Sequence, residues 1–179
     1  MTTAIKDILY SAIDGIGKEK IRMEVTAEIE RSERCCNEIL EKCKNKLDHD
    51  LDDESLAALC EALLHFMLTV SVLPSERKVN WNGSELDLVV PSLKMLSKSP
   101  EKSLVIQIIK RNAERTKIKY AESVQPHDAN IWIVSAKRLE VDHKNYYIHS
   151  NKFPYSQIVS DINAFLLRKG DRGLKLLHG

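Results

Sequence analysis

The sequence predicts an α/β fold in which a mixed central sheet of four to five strands is flanked by helices and preceded by an N-terminal helical region. Three observations predict it. The run "KVNWNGSELDLVV" sets an Asn-Gly pair between an alternating stretch and an apolar one, the signal of a β-hairpin. "SLVIQIIK" and "ANIWIVSA" are short, nearly continuous apolar runs, as expected of strands buried on both faces. Between those two runs lies a helical pattern long enough for the crossover that joins parallel neighbours.

The elements follow in order. Residues 2–14 form a first helix with Ile5, Ile8, Leu9, Ala12 and Ile13 on one face, ended by Gly15 and Gly17. Residues 18–47 read as one long polar helix whose narrow stripe runs from Val25 and Ile29 to Cys43 and Leu47. That stripe packs along neighbouring helices or forms half of a homodimer seam. "LDHDLDDES" is an acidic linker, and Asp52 or Asp53 caps a third helix over about 54–72. This helix is apolar on most sides and stops before Pro74, which makes it the central core helix. After the third strand, "RNAERTKIKYAES" predicts a basic amphipathic helix broken at Pro126. "VDHKNYYIHS" reads as a turn and an edge strand, Tyr155–Lys169 as a closing helix, and "RKGDRGLKLLHG" as a frayed basic tail. The expected organisation is a helical region over 1–52, serving a dimer or partner surface, and an α/β domain over 53–179.

Composition narrows the function. The apolar share of 43% supports a packed core, and 30% charged residues favour solubility. No run approaches the roughly eighteen apolar residues of a membrane span, and the N-terminus lacks a secretory cleavage pattern. Cys35, Cys36, Cys43 and Cys60 have neither disulfide-framework nor zinc spacing, so they read as free thiols of a reducing cytoplasm. Net charge is +1, but residues 1–73 carry nine Lys/Arg against fifteen Asp/Glu and residues 74–179 carry eighteen against eleven. An acidic front and a basic rear point to a polyanionic partner for the rear half. No Gly-rich phosphate loop, HExxH or GxSxG is present.

Candidate chemistry lies on the hairpin and the third strand. Asp87 sits on the second strand, with Glu85 two residues away on the same strand face. Gln107 lies inside an apolar strand, where its amide must find hydrogen bonds. Lys110 follows that strand, and Glu61 lies on the core helix. In a regular strand Gln107 and Lys110 point to opposite faces, so sharing one site requires a bulge.

A core helix, a hairpin with an acid on its second strand, a third strand with polar residues near its end, then a helix and a fourth strand is similar to the PD-(D/E)xK superfamily. This is the restriction-endonuclease-like fold, which includes archaeal Holliday-junction resolvases, and the resemblance spans about residues 54–135. It implies a Mg²⁺-dependent phosphodiester hydrolase, since such hydrolysis needs a cation and a polarised water. Asp87 matches the first acid, with Glu85 and Glu61 as further metal ligands. Gln107 would help place the metal or the water, and Lys110 would stabilise the phosphate. The third strand departs from the motif: Ile108 stands where an acid would precede Lys110, and Ile109 where a lysine would follow Gln107.

On one helix Arg111, Arg115 and Lys119 fall at i, i+4 and i+8, a line of cations suited to phosphates, flanked by Lys117 and Lys110. Trp132 is expected in the core, with Trp81, Tyr146 and Tyr147 available to bases. The reading is a nucleic-acid-associated protein with a nuclease-like fold and an altered Mg²⁺ site. The alternative is a non-catalytic scaffold on the same fold.

Overall fold

A computed structural model of the chain describes residues 2–47, 51–148 and 155–169. Three helices open the chain: α1 (Thr2–Ile16), α2 (Lys18–Ala27) and α3 (Arg31–Asn45). The single long helix expected over 18–47 is therefore two. Glu28 turns to an extended backbone and its N–H closes α2 on the Glu24 carbonyl, so the same apolar stripe folds back on itself. Ile21 and Val25 of α2, with Cys36, Ile39, Leu40 and Cys43 of α3, are all buried.

Helix α4 (Asp53–Val70) is the core helix. Asp52 caps it, its carboxylate accepting from the Ser55 N–H. Part of the acidic linker, residues 48–50, lies outside the described residues.

The five-stranded sheet runs in sequence order: β1 (Glu76–Trp81), β2 (Ser84–Val90), β3 (Leu104–Ile109), β4 (Ile131–Ser135) and β5 (Lys144–Tyr147). The first three strands are antiparallel neighbours, whereas β3, β4 and β5 are parallel. The hairpin turns at Asn82 and Gly83, both with positive φ (51° and 82°), which Asn and Gly adopt most readily. A short helix α5 (Leu93–Lys98) links β2 to β3, α6 (Thr116–Val124) makes the crossover to β4, and α7 (Ile158–Arg168) closes the chain.

Two apolar cores sandwich the sheet. Leu88, Leu104, Ile106, Ile108, Trp132 and Val134 face α1, α3, α4 and α7. Val105, Ile109, Ile131 and Ile133 face α5 and α6. Both faces of β3 and β4 are buried, which explains their unbroken apolar runs. The four cysteines are buried and free. Tyr146 and Tyr147 are buried, not exposed as expected: Tyr146 stacks beside Trp132, and its hydroxyl donates to Asp161. Among the described residues no helix is long and apolar enough to cross a membrane. The basic tail beyond Lys169 falls outside them.

Candidate functional site

The site forms where β2 and β3 part. Their ladder pairs Val90 with Leu104, Val89 with Val105 and Leu88 with Ile106, and goes no further. Beyond it two side chains replace the backbone bonds. The Asp87 N–H donates to Gln107 Oε1 at 2.8 Å, and the Ile108 N–H donates to Asp87 Oδ2 at 2.8 Å. Both residues are buried, so this exchange satisfies groups that would otherwise be stranded in the core. The other end of the Gln107 amide donates to the Lys117 carbonyl at 3.0 Å, fixing the start of α6. Gln107 is thus fully engaged with backbone. Its place is structural as well as central.

The fork also disturbs β2. Leu86 and Leu88 should share a face, yet Leu86 enters the core under α6 and Leu88 the core under α4. The break falls at Asp87. Across the hairpin Arg77 pairs with Leu88 and Val79 with Leu86, which leaves Lys78 opposite Asp87. Lys78 has φ +52°, a left-handed conformation that a lysine adopts at some energetic expense.

Around Asp87 the charges alternate. Lys78 Nζ lies 2.7 Å from Asp87 Oδ1, 3.0 Å from Glu61 Oε1 and 3.8 Å from Glu85 Oε1. Lys117 Nζ lies 3.1 Å from Asp87 Oδ2 and also donates to the Ile108 carbonyl at 3.3 Å. Lys110 Nζ meets Glu61 Oε2 at 2.5 Å, while its backbone N–H donates to Glu114 at 3.0 Å. Glu114 in turn lies 3.5 Å from Lys117. Burial alone would raise the Glu61 pKa, but hydrogen bonds from Lys110 and Lys78 hold it below the usual carboxylate range. Glu114 is likewise held low against burial, by the Lys110 N–H and the Lys117 charge. Burial would lower Lys78, yet Asp87 and Glu61 push it well above an ordinary lysine.

Each expected site residue now has a place. Asp87, Glu61 and Glu85 do converge, around the Lys78 ammonium. Gln107 touches Asp87 directly. Lys110 leaves β3 on the opposite side, as strand alternation requires; its side chain joins the cluster through Glu61 and its backbone N–H through Glu114. The lysine nearest Asp87 from beyond β3 is Lys117. The expected cation line on one helix does not form: Arg111 has extended backbone, Asn112–Arg115 is a 3₁₀ turn, and α6 begins at Thr116. Arg115 donates to the Glu140 carbonyl at 3.0 Å, Lys117 turns inward, and Lys119 remains exposed on α6.

Sequence reasoning missed Lys78 and placed Lys117 among the phosphate-facing cations instead of beside Asp87, though both left signals. A turn at Asn82-Gly83 fixes the hairpin register and sets Lys78 opposite Asp87. Lys117 lies four residues before buried Ala121, on the inward side of α6.

As arranged, the donor set does not fit Mg²⁺, which takes oxygen ligands in near-octahedral geometry. Both Asp87 oxygens and both Glu61 oxygens face N–H donors, and Gln107 Oε1 is held by backbone. Among the described residues no three His, Cys, Asp or Glu side chains are grouped to hold a metal ion.

Comparison with solved structures decides the fold. The chain superimposes on a restriction endonuclease PspGI–substrate DNA complex with a TM-score of 0.59, covering 92% of this chain and 93% of that one at 13% identity. This is a restriction-endonuclease-like fold. No family model matches the sequence, and no curated protein does. Identity this low carries the fold and not the activity. Within the restriction-endonuclease-like frame, Asp87 stands at the parting of β2 and β3, and lysines neutralise the carboxylates around it.

Proposed function

We propose that this chain is a nucleic-acid-binding protein that uses a nuclease-like fold without metal-dependent cleavage. The observation that carries the reading is the fork, where Glu61, Asp87 and Glu114 are matched by Lys78, Lys110 and Lys117. Charge that a divalent cation would supply is already provided by ammonium groups. The basic rear half and the DNA in the PspGI complex support nucleic acid as the partner class.

One observation favours a second reading, a Mg²⁺-dependent endonuclease: three carboxylates approach a single point, now held by Lys78. Fluorescence anisotropy with duplex, branched and single-stranded DNA and RNA, run in EDTA and in Mg²⁺ or Mn²⁺, separates the two. The first reading predicts salt-sensitive binding that persists in EDTA and is not strengthened by Mg²⁺, with the probe left intact. Cleavage in Mg²⁺ that Asp87→Ala abolishes, in a variant shown to be folded, would establish the enzyme instead. Failure to bind any probe would leave a scaffold.

A further inference from the structure

Outside the carboxyl ends of the parallel strands β3 and β4 lies a cleft of about 280 Å³. Ligands of open α/β sheets commonly sit at such strand ends. The loop after β3 contributes Lys110 and Arg111, and the loop after β4 contributes Lys137 and Arg138, against the single carboxylate of Asp53. Ile109, Ala136 and Leu139 give the same cleft an apolar wall. Its volume lies just under the ~300–1,000 Å³ of small-molecule clefts, more than a bare phosphate requires.

The loop that carries Lys137 and Arg138 is held in place. Ser135 Oγ donates to the Lys137 carbonyl at 2.7 Å, Asn145 Nδ2 donates to Ser135 Oγ at 2.9 Å, and the Leu139 N–H donates to Asn145 Oδ1 at 2.8 Å. Arg115 ties the opposite wall to Glu140. The cations themselves are available. Arg111 and Lys137 are each more than 60% exposed; Lys137 makes a surface pair with Asp53, and Arg111 one with Glu54 beside a contact to the more buried Glu114. Arg138 has no ion-pair partner among the described residues. Exposed pairs of this kind yield readily to a stronger anion. Only Lys110 is firmly committed, to Glu61.

We infer that this cleft binds the phosphate of a nucleotide, with Arg138, Arg111 and Lys137 on the phosphate oxygens and the attached nucleoside against Ile109, Ala136 and Leu139. Guanidinium groups suit phosphate because their fork pairs two oxygens at once. The inference deepens the nucleic-acid reading and rests on it for the polymer, but the phosphate chemistry is tested separately.

Amide NMR spectra of the whole chain are titrated with AMP, adenosine and inorganic phosphate. AMP should give saturable shifts at Arg111–Asn112 and Lys137–Leu139, phosphate weaker ones, and adenosine none. A double variant, Lys137→Ala with Arg138→Ala, should weaken AMP by at least about tenfold, the loss of one or more charge-assisted bonds. The spectrum itself reports whether the variant is folded. Equal AMP binding by the variant, equal binding of adenosine, or no shifts at these residues would overturn the site. AMP bound in the cleft by a chain that retains no polynucleotide would sink the nucleic-acid reading alone. Polynucleotide bound with these residues unmoved would sink the cleft alone.

Discussion

The fork at Asp87 and the cleft beyond β3 and β4 are both rich in lysine and arginine, yet they are built on opposite principles. At the fork the Asp87 side chain is 1% exposed, its oxygens face Lys78, Lys117 and the Ile108 N–H, and Gln107 is held at both ends of its amide. In the cleft Arg111 and Lys137 face water and Arg138 is unpaired among the described residues. Cations committed to buried carboxylates define a structure; cations held loosely on a braced loop are left for a ligand. The comparison predicts that fork substitutions act on stability and cleft substitutions on binding.

The largest effect should come from Asp87→Ala. It strands the Ile108 N–H and takes from Lys78 and Lys117 the buried carboxylate they share, leaving them Glu61 and Glu114; removing one partner of a buried ionic cluster costs up to about 3–5 kcal/mol. Urea unfolding measures this directly, and a loss under about 1 kcal/mol would break the distinction between the two regions. Gln107→Leu comes next. It keeps the apolar volume but leaves the buried Asp87 N–H unpaired, at about 1–3 kcal/mol, and removes the tie to the Lys117 carbonyl at the start of α6.

Acid unfolding sharpens the same contrast. Glu61 and Glu114 have folded pKa values below their unfolded ones, so their contribution is complete above the ordinary glutamate value and vanishes as pH falls through the lowered one. Stability should therefore decline below about pH 4, and Glu61→Gln should flatten that limb. Lys78 is displaced upward, so its contribution holds below the ordinary lysine value and is lost only at strongly alkaline pH. Smallest in stability is Arg138→Ala, at within about 0.5 kcal/mol for an exposed side chain. Its effect should appear in polynucleotide binding, as a shallower salt dependence.

Much of the fold was legible because local chemistry and tertiary packing agree. Asn82-Gly83 demands a tight turn, Asp52 caps α4, and the apolar runs of β3 and β4 have nowhere to go but a sheet covered on both sides. The division at Glu28–Glu30 was hidden because no Gly or Pro marks it and apolar spacing continues across it. The site was legible in part. Asp87, Glu61 and Glu85 were singled out by their places in the PD-(D/E)xK pattern, and Gln107 because an amide in an apolar strand needs a hydrogen-bond partner. Lys78 was not, since a lysine on an edge strand looks like solvated surface, and Lys117 was read as a phosphate-facing cation of the basic helix and not as a partner of Asp87. Their partners emerge only when the hairpin register and the inward face of α6 are combined. The straight row of cations failed for a related reason: a 3₁₀ turn at Asn112–Arg115 changes the angular spacing before α6 begins.

Titration of the wild-type chain with Mn²⁺, followed by the paramagnetic relaxation of water protons, tests the lysine-held fork most directly. The account predicts no saturable site that depends on Asp87, because Lys78 and Lys117 already neutralise its carboxylate. A site for Mn²⁺ in the wild type that disappears in a folded Asp87→Asn variant would contradict it.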